Sequence, residues 1–130
     1  MATPRHQLRL RVICGRYSYA RLEPDAPIPV WAEDATFSFQ LRTLDELAVI
    51  CPCENVPANV RQEGPWKIIK IDATLDFNQV GIIASLAAPL AEAGVSIAPI
   101  ASFDTDYVLV REESLDPALA ALRAAGHTVI

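Results

Sequence analysis

Three observations predict an α+β fold for this chain. The stretch from Trp66 to Ile130 reads strand, helix, strand, strand, helix, strand, which is the split βαβ order of a ferredoxin-like (βαββαβ) sandwich. Glycines stand where such a fold must turn, with Gly81 before the first helix and Gly94 and Gly126 after the two helices. Hydrophobic residues make up 52% of the 130 residues and charged residues 21%, enough apolar side chain to bury a core in one domain, or in two small ones sharing a core.

In order along the chain, Leu8-Arg9-Leu10-Arg11-Val12 alternates apolar and polar and reads as a half-buried strand. Tyr17 to Leu22 is a second alternating run. Pro24, Pro27 and Pro29 forbid regular structure in the loop that follows, and Val30 to Glu33 reads as a short helical turn. Thr36 to Arg42 alternates again. Leu47 to Cys51 is a continuous apolar run, a central strand ended by Pro52. Any helix in Glu54–Val60 is short, because Pro57 interrupts it. Gly64-Pro65 marks the boundary between two halves, 1–63 and 64–130. Trp66 to Ile71 is a strand and Val80 to Ala93 a helix, in which Pro89 should kink or loosen the coil. Val95 to Ile100 is a strand whose Pro99 suggests an edge or a bulge. Asp106 to Arg111 is the next strand. Ser114 is expected to cap a helix over Asp116–Ala125 with Pro117 in its first turn, and His127 to Ile130 closes the chain as a strand.

The halves echo each other. At an offset of 61, Asp45–Val49 falls on Asp106–Val110 and Arg5–Leu10 on Trp66–Ile71. This suggests two ferredoxin-like units, the first degenerate in its first helix.

Composition excludes several classes. A net charge of −5 argues against nucleic acid. The excess acid lies in residues 62–130, which carry four Lys/Arg and nine Asp/Glu. That is either a solvated acidic face or an attraction for a cationic or zwitterionic ligand. Three cysteines, Cys14, Cys51 and Cys53, form no disulfide framework and fit a reducing cytoplasm. Met1 to His6 has no apolar leader. Val80 to Phe103 holds one charge, Glu92, but Gly81, Pro89, Gly94 and Pro99 break it, so it reads as a buried helix and strand rather than a membrane span. No nucleophile elbow, phosphate loop or Ser/His/Asp arrangement suggests catalysis. Cys51-Pro52-Cys53 lacks the second ligand pair a structural zinc needs, and Asp76, Asp104 and Asp106 match no recognised metal spacing. No metal and no cofactor is expected. Trp31 and Trp66 read as core or interface anchors, because no basic groove accompanies them.

Two turns carry binding chemistry. In Leu75-Asp76-Phe77-Asn78-Gln79-Val80-Gly81-Ile82, backbone N–H groups gather at a helix start, where an anion is held; Gly81 serves either close ligand approach or plain helix–sheet packing. In Ser102-Phe103-Asp104-Thr105-Asp106, two carboxylates stand two residues apart, either facing an ammonium together or closing an Asx-turn. An anion site beside a cation site suits a free amino acid.

With these residues laid out, the second half resembles the ACT domain, a small regulatory fold that binds amino acids. Leu75 to Leu86, Leu90 to Ile97 and Ser102 to Val110 carry the resemblance. The whole chain resembles the small bacterial tandem-ACT proteins related to the regulatory part of aspartate kinase and to the animal cytosolic arginine sensor; Tyr17 to Pro29 looks like that family's first half. The resemblance implies that Asp76, Gln79, Val80, Gly81 and Ile82 hold a ligand α-carboxylate. It implies that Ser102, Phe103, Asp104, Thr105 and Asp106 hold the α-amino group, and that Leu41, Arg42, Thr43 and Asp45 close the pocket from a neighbouring ACT unit. Arg42 departs from the arginine-sensor pattern; it fills the pocket, binds a carboxylate or faces water, so specificity for arginine does not carry over. The expected function is a non-catalytic, cytoplasmic regulatory module binding an amino acid at the interface of two ACT units, in one chain or a homodimer, and signalling to a regulated protein. The alternative is a structural or protein-interaction domain of the same fold without a ligand.

Overall fold

The computed structural model of the protein describes residues 5–130; Met1 to Pro4, read above for a leader, lie outside the described residues. The order of elements is β1 (Arg9–Val12), β2 (Tyr17–Leu22), β3 (Phe39–Arg42), β4 (Leu47–Pro52), β5 (Gln62–Ile71), α1 (Ile82–Glu92), β6 (Ile97–Ala101), β7 (Asp106–Arg111), α2 (Leu115–Ala124) and β8 (Thr128–Val129). Contacts group the chain into two compact units: Met1–Ile13 with Lys67–Ile130, and Cys14–Trp66. β5 gives its first half to the second of these and its second half to the first. Gly64 and Pro65, where a boundary was expected, thus lie inside a strand. In the 14–66 unit that strand is at the sheet edge, paired only with β2, so the missing N–H of Pro65 breaks no ladder.

In the 67–130 unit the strands lie in the order β8–β1–β5–β7–β6. β1, from the far end of the sequence, sits antiparallel to β5 (Leu10 opposite Ile71) and parallel to β8 (Leu10 opposite Val129). Among the described residues β6 pairs with β7 alone, which puts Pro99 on an edge strand, as its missing donor requires. One face of this sheet gives Leu10, Ile69, Ile71, Val108 and Val110 to a core shared with Ile82, Leu86 and Leu90 of α1 and Ala118 and Leu122 of α2. Spacing of three and four along each helix produces that stripe.

Both helices end alike. Gly94 (φ +73°) and Gly126 (φ +97°) take the left-handed conformation. The Gly94 and Val95 amides donate to Ala91 and Leu90, and those of Gly126 and His127 to Arg123 and Leu122, so orphan carbonyls are satisfied in Schellman fashion. Val95 and His127 are therefore part of the helix stops, and the strands begin later than alternation suggested. Ser114 makes no capping bond; it ends a 3-10 turn, Glu112–Ser114, that leads into α2.

Pro89 does not break α1. It removes the donor that Ser85 O would receive in a regular helix, and buried His127 supplies another: Nε2 donates to Ser85 O at 2.8 Å while Nδ1 accepts from Leu8 N at 3.0 Å. The second bond assigns the hydrogen to Nε2. Ser85 is a hub, its Oγ accepting from His6 N (2.8 Å) and donating to Gly81 O (2.7 Å).

The 14–66 unit has the strand order β3–β4–β2–β5. Its core is Ala20, Leu47, Val49 and Cys51 with Ala32 and Val56, and Trp31 packs against it. The short helical turn expected at Val30 is a 3-10 turn, Val30–Ala32, and a second 3-10 turn, Cys53–Asn55, begins just before the short helix allowed for at Glu54–Val60. β3 starts later than expected because Asp34 Oδ2 accepts from the amides of Thr36 (2.9 Å) and Phe37 (3.2 Å) and folds that stretch into a turn. Cys51 is fully buried, and burial above all pushes its thiol up to about 11, with Cys53, Asp34 and Glu54 adding to it. Tyr17, also buried, donates its hydroxyl to Cys14 O at 2.7 Å.

Candidate functional site

In the 67–130 unit, the β5–α1 turn and the β6–β7 turn are tied by the Leu75 amide donating to Asp104 O at 2.6 Å. The exposed rings of Phe77 and Phe103 meet edge to face at 5.2 Å. Beneath them is a cleft of about 130 Å3, lined by Leu75, Asp76, Phe77, Gln79, Ile82, Ala101, Ser102, Phe103, Thr105 and Asp106. Seven of the candidate residues are therefore in one place: Asp76, Gln79, Ile82, Ser102, Phe103, Thr105 and Asp106.

Each wall is held by its own bonds. Asp76 closes an Asx-turn, its Oδ1 accepting from Asn78 N at 2.8 Å, while Gln79 Oε1 accepts from Asp76 N at 2.8 Å. The Asx-turn considered for the 102–106 segment is absent among the described residues; Ser102 closes that turn instead, its Oγ accepting from Thr105 N at 3.3 Å. On the other wall Ser102 Oγ donates to Thr105 O at 2.8 Å, and buried Thr105 donates its hydroxyl to Ile71 O at 2.8 Å. The Thr105 bond ties the second turn to β5, and the others hold each turn in shape.

Gly81 takes φ +86° as the N-cap residue of α1, and no side chain caps this end. A left-handed N-cap is open only to glycine at low cost, which gives this residue a backbone role. The first-turn amides, the donors a helix start leaves without an intrahelical partner, are a place for an anion. Val80 is exposed and its carbonyl faces His6 Nε2 at 2.8 Å. Val80, Gly81 and Asp104 do not line the cleft.

Asp106 opens β7, half-buried, and its carboxylate has no hydrogen-bond or ion-pair partner among the described residues. Burial raises its pKa above the ordinary carboxylate value. An acceptor that is partly desolvated and unpaired is suited to a cationic group.

Leu41, Arg42, Thr43 and Asp45 belong to the β3–β4 hairpin of the 14–66 unit. Arg42 has its own employment there: its guanidinium donates to Pro24 O and, at 2.7 Å, to Ala26 O, bracing the proline loop. Thr43 Oγ1 accepts from the amides of Asp45 (3.1 Å) and Glu46 (3.2 Å) and closes the hairpin. Among the described residues no three His, Cys, Asp or Glu side chains gather as a metal would need, and no helix is long and apolar enough to cross a membrane.

Leu75, Phe77 and Ala101 line the cleft although the candidate set leaves them out. An exposed Phe in each turn, Phe77 and Phe103, is the signal from which their pairing was readable, since exposed large apolar residues on loops ask for a partner.

Comparison with known proteins identifies the family. The ACT-domain family profile matches residues 62–124, and a separate N-terminal-domain profile matches residues 15–59. A crystal structure of the protein Atu0741 from Agobacterium tumefaciens is 33% identical, with TM-score 0.91, over 96% of this chain and 93% of that one. The crystal structure of aspartokinase alpha and beta subunits shares the fold at TM-score 0.61 and 17% identity, over 95% of this chain and 98% of that one. The human cytosolic arginine sensor for mTORC1 subunit 1 is 34% identical over 59 residues, 45% of this chain and 18% of the sensor; the chain thus spans about a fifth of that relative's length. Fold, profile and a relative along nearly the whole chain lead to one conclusion: the chain belongs to the ACT-domain proteins.

Proposed function

We propose that the protein is a regulatory ligand-binding module without catalysis, and that a small α-amino acid binds in the cleft between the β5–α1 and β6–β7 turns. The ligand's carboxylate faces the amides at the start of α1, and its ammonium faces Asp106. The observation that carries this reading is the unpaired, partly desolvated carboxylate of Asp106 in the wall of the cleft. A cleft of about 130 Å3 suits the backbone part of an amino acid and a short side chain; a longer one projects outward past the Phe77–Phe103 pair. Ser102, Thr105, Gln79 and Ile82 shape the walls. Arg42 serves its own loop. Binding acts by favouring one conformation of the protein over another.

Calorimetric titration of the full chain with the common amino acids, and with N-acetylated and esterified forms of the best binder, tests the proposal. One or more free amino acids give saturable heat, both blocked forms fail, and Asp106→Asn abolishes the signal. If no amino acid gives heat or a thermal shift, the proposal is wrong. The second reading, a protein-interaction domain, is favoured by one observation, the outer edge of β6, which pairs with β7 alone and is a place for strand addition. A partner-dependent elution mass that amino acids do not alter would support it.

A further inference from the structure

The 14–66 unit has a cavity of its own that the reading above does not use. On the face of β2 and β4 opposite the Val49–Val56 core lies a pocket of about 310 Å3, lined among others by Tyr19, Arg21, Glu46, Ala48, Arg61 and Trp66. Its floor is small and apolar at Ala48, which is 3% exposed. One wall is Trp66, 7% exposed, whose indole N–H is given to Glu63 O at 3.2 Å, so it offers ring surface rather than a donor. Tyr19 stands opposite Ile50 on β4 and Glu63 on β5.

The charges in this pocket are unevenly matched. The Arg21 amide donates to Arg61 O at 3.0 Å, which sets Arg21 on β2 opposite Arg61 just before β5, an arrangement that repels. Arg21 is tied down, donating to Asp45 O at 3.0 Å and pairing with Glu23 at 3.3 Å. The Arg61 guanidinium has no partner among the described residues. Neither has the carboxylate of half-buried Glu46, although its charge reaches Tyr19, whose phenol is pushed up by burial first and Glu46 second. A free cation and a free anion thus line one cavity without pairing with each other. The complement of that arrangement is a zwitterion, and the complement of the Trp66–Tyr19–Ala48 surface is an apolar body.

We propose that this pocket is a second ligand site, taking a small zwitterion that carries an aromatic or bulky apolar group. Its carboxylate is held by Arg61, its ammonium by Glu46, and its apolar group by Trp66 and Tyr19. The site is independent of the Asp106 cleft.

The test is titration of the full chain with L-phenylalanine, read from the two tryptophan indole N–H signals in a 15N-correlated NMR spectrum, with Trp31→Phe assigning them. The Trp66 signal is expected to move saturably. Phenylacetate and phenethylamine, each lacking one charge, bind at least tenfold more weakly, as do Glu46→Gln and Arg61→Gln; tenfold corresponds to about 1.4 kcal/mol. Asp106→Asn leaves the Trp66 titration unchanged. Four results overturn the proposal: a Trp66 signal that does not move, phenylacetate or phenethylamine binding as well as phenylalanine, a titration unaltered in both charge variants, or a titration abolished by Asp106→Asn. Both charge variants alter partly or fully exposed side chains, and an unchanged melting temperature verifies that they fold.

Discussion

In the proposed site, Asp106 would serve binding at the expense of stability. Its folded-state pKa is raised by burial, so its contribution to stability is fully present below the unfolded value and is lost as pH rises through the folded value. Asp106→Asn should therefore melt higher than the parent at neutral pH. The gap should close as pH falls through the Asp106 titration, while amino acid binding is lost at every pH. Thermal melts across an acid-to-neutral series, paired with calorimetry, check both parts; a variant less stable than the parent at neutral pH would refute the desolvation argument. At this scale the sequence was legible where residue type and backbone demand coincide. Gly81 before an apolar run, and Asp104-Thr105-Asp106 before another, announced turns. Which aspartate closes its own turn was not legible: Asp76 does so and Asp106 stays unpaired, a choice set by burial that no local pattern records.

Among the elements, α1 depends on a residue more than thirty positions away. His127 replaces the donor Pro89 lacks, and it also satisfies Leu8 N. His127→Ala leaves two buried polar groups unpaired and should cost about 2–5 kcal/mol. Pro89→Ala restores an N–H to Ser85 O, so in that background the His127 substitution should cost less, by about 1 kcal/mol in a double-mutant cycle. Denaturant melts of the four proteins measure this; strict additivity would mean that the imidazole does not stand in for the missing amide. β5 offers a second test. A Cβ on Gly64 would meet Tyr17 O at 2.9 Å, with Ser18 Cα at 3.3 Å, both backbone atoms that yield little. Gly64→Ala should destabilise the chain by about 1–3 kcal/mol, read from the midpoint of unfolding. Periodicity identified β1, β2, β4, β7 and both helices. It misjudged ends where a helix stop or an Asx-turn overrides alternation, as at Val95, His127 and Thr36. It also read Gly64-Pro65 as a break, because an edge strand tolerates a proline and a close backbone approach favours a glycine, and local sequence shows neither.

The whole molecule is threaded rather than serial. β1 lies between β5 and β8, and the intervening residues 14–66 form the other unit. Pairing between distant strands leaves little local trace, so the two-halves reading of the sequence found the strands but not this insertion. A fragment of residues 64–130 would leave β8 without its partner and one side of β5 bare. It should give a poorly dispersed NMR spectrum and self-associate, and a peptide of residues 5–13 added to it should restore dispersion. A fragment that folds alone with the spectrum of the corresponding region of the full chain would show that β1 is dispensable. Threading also has a temporal side. Leu10 leaves the ribosome long before Val129, its neighbour in the finished sheet. Both flanks of β1 are bare until β5 is made, and one stays bare until β8 follows. During that interval the alternating arginines of Arg9-Leu10-Arg11 keep charge on an uncovered strand, a feature that opposes edge-to-edge pairing.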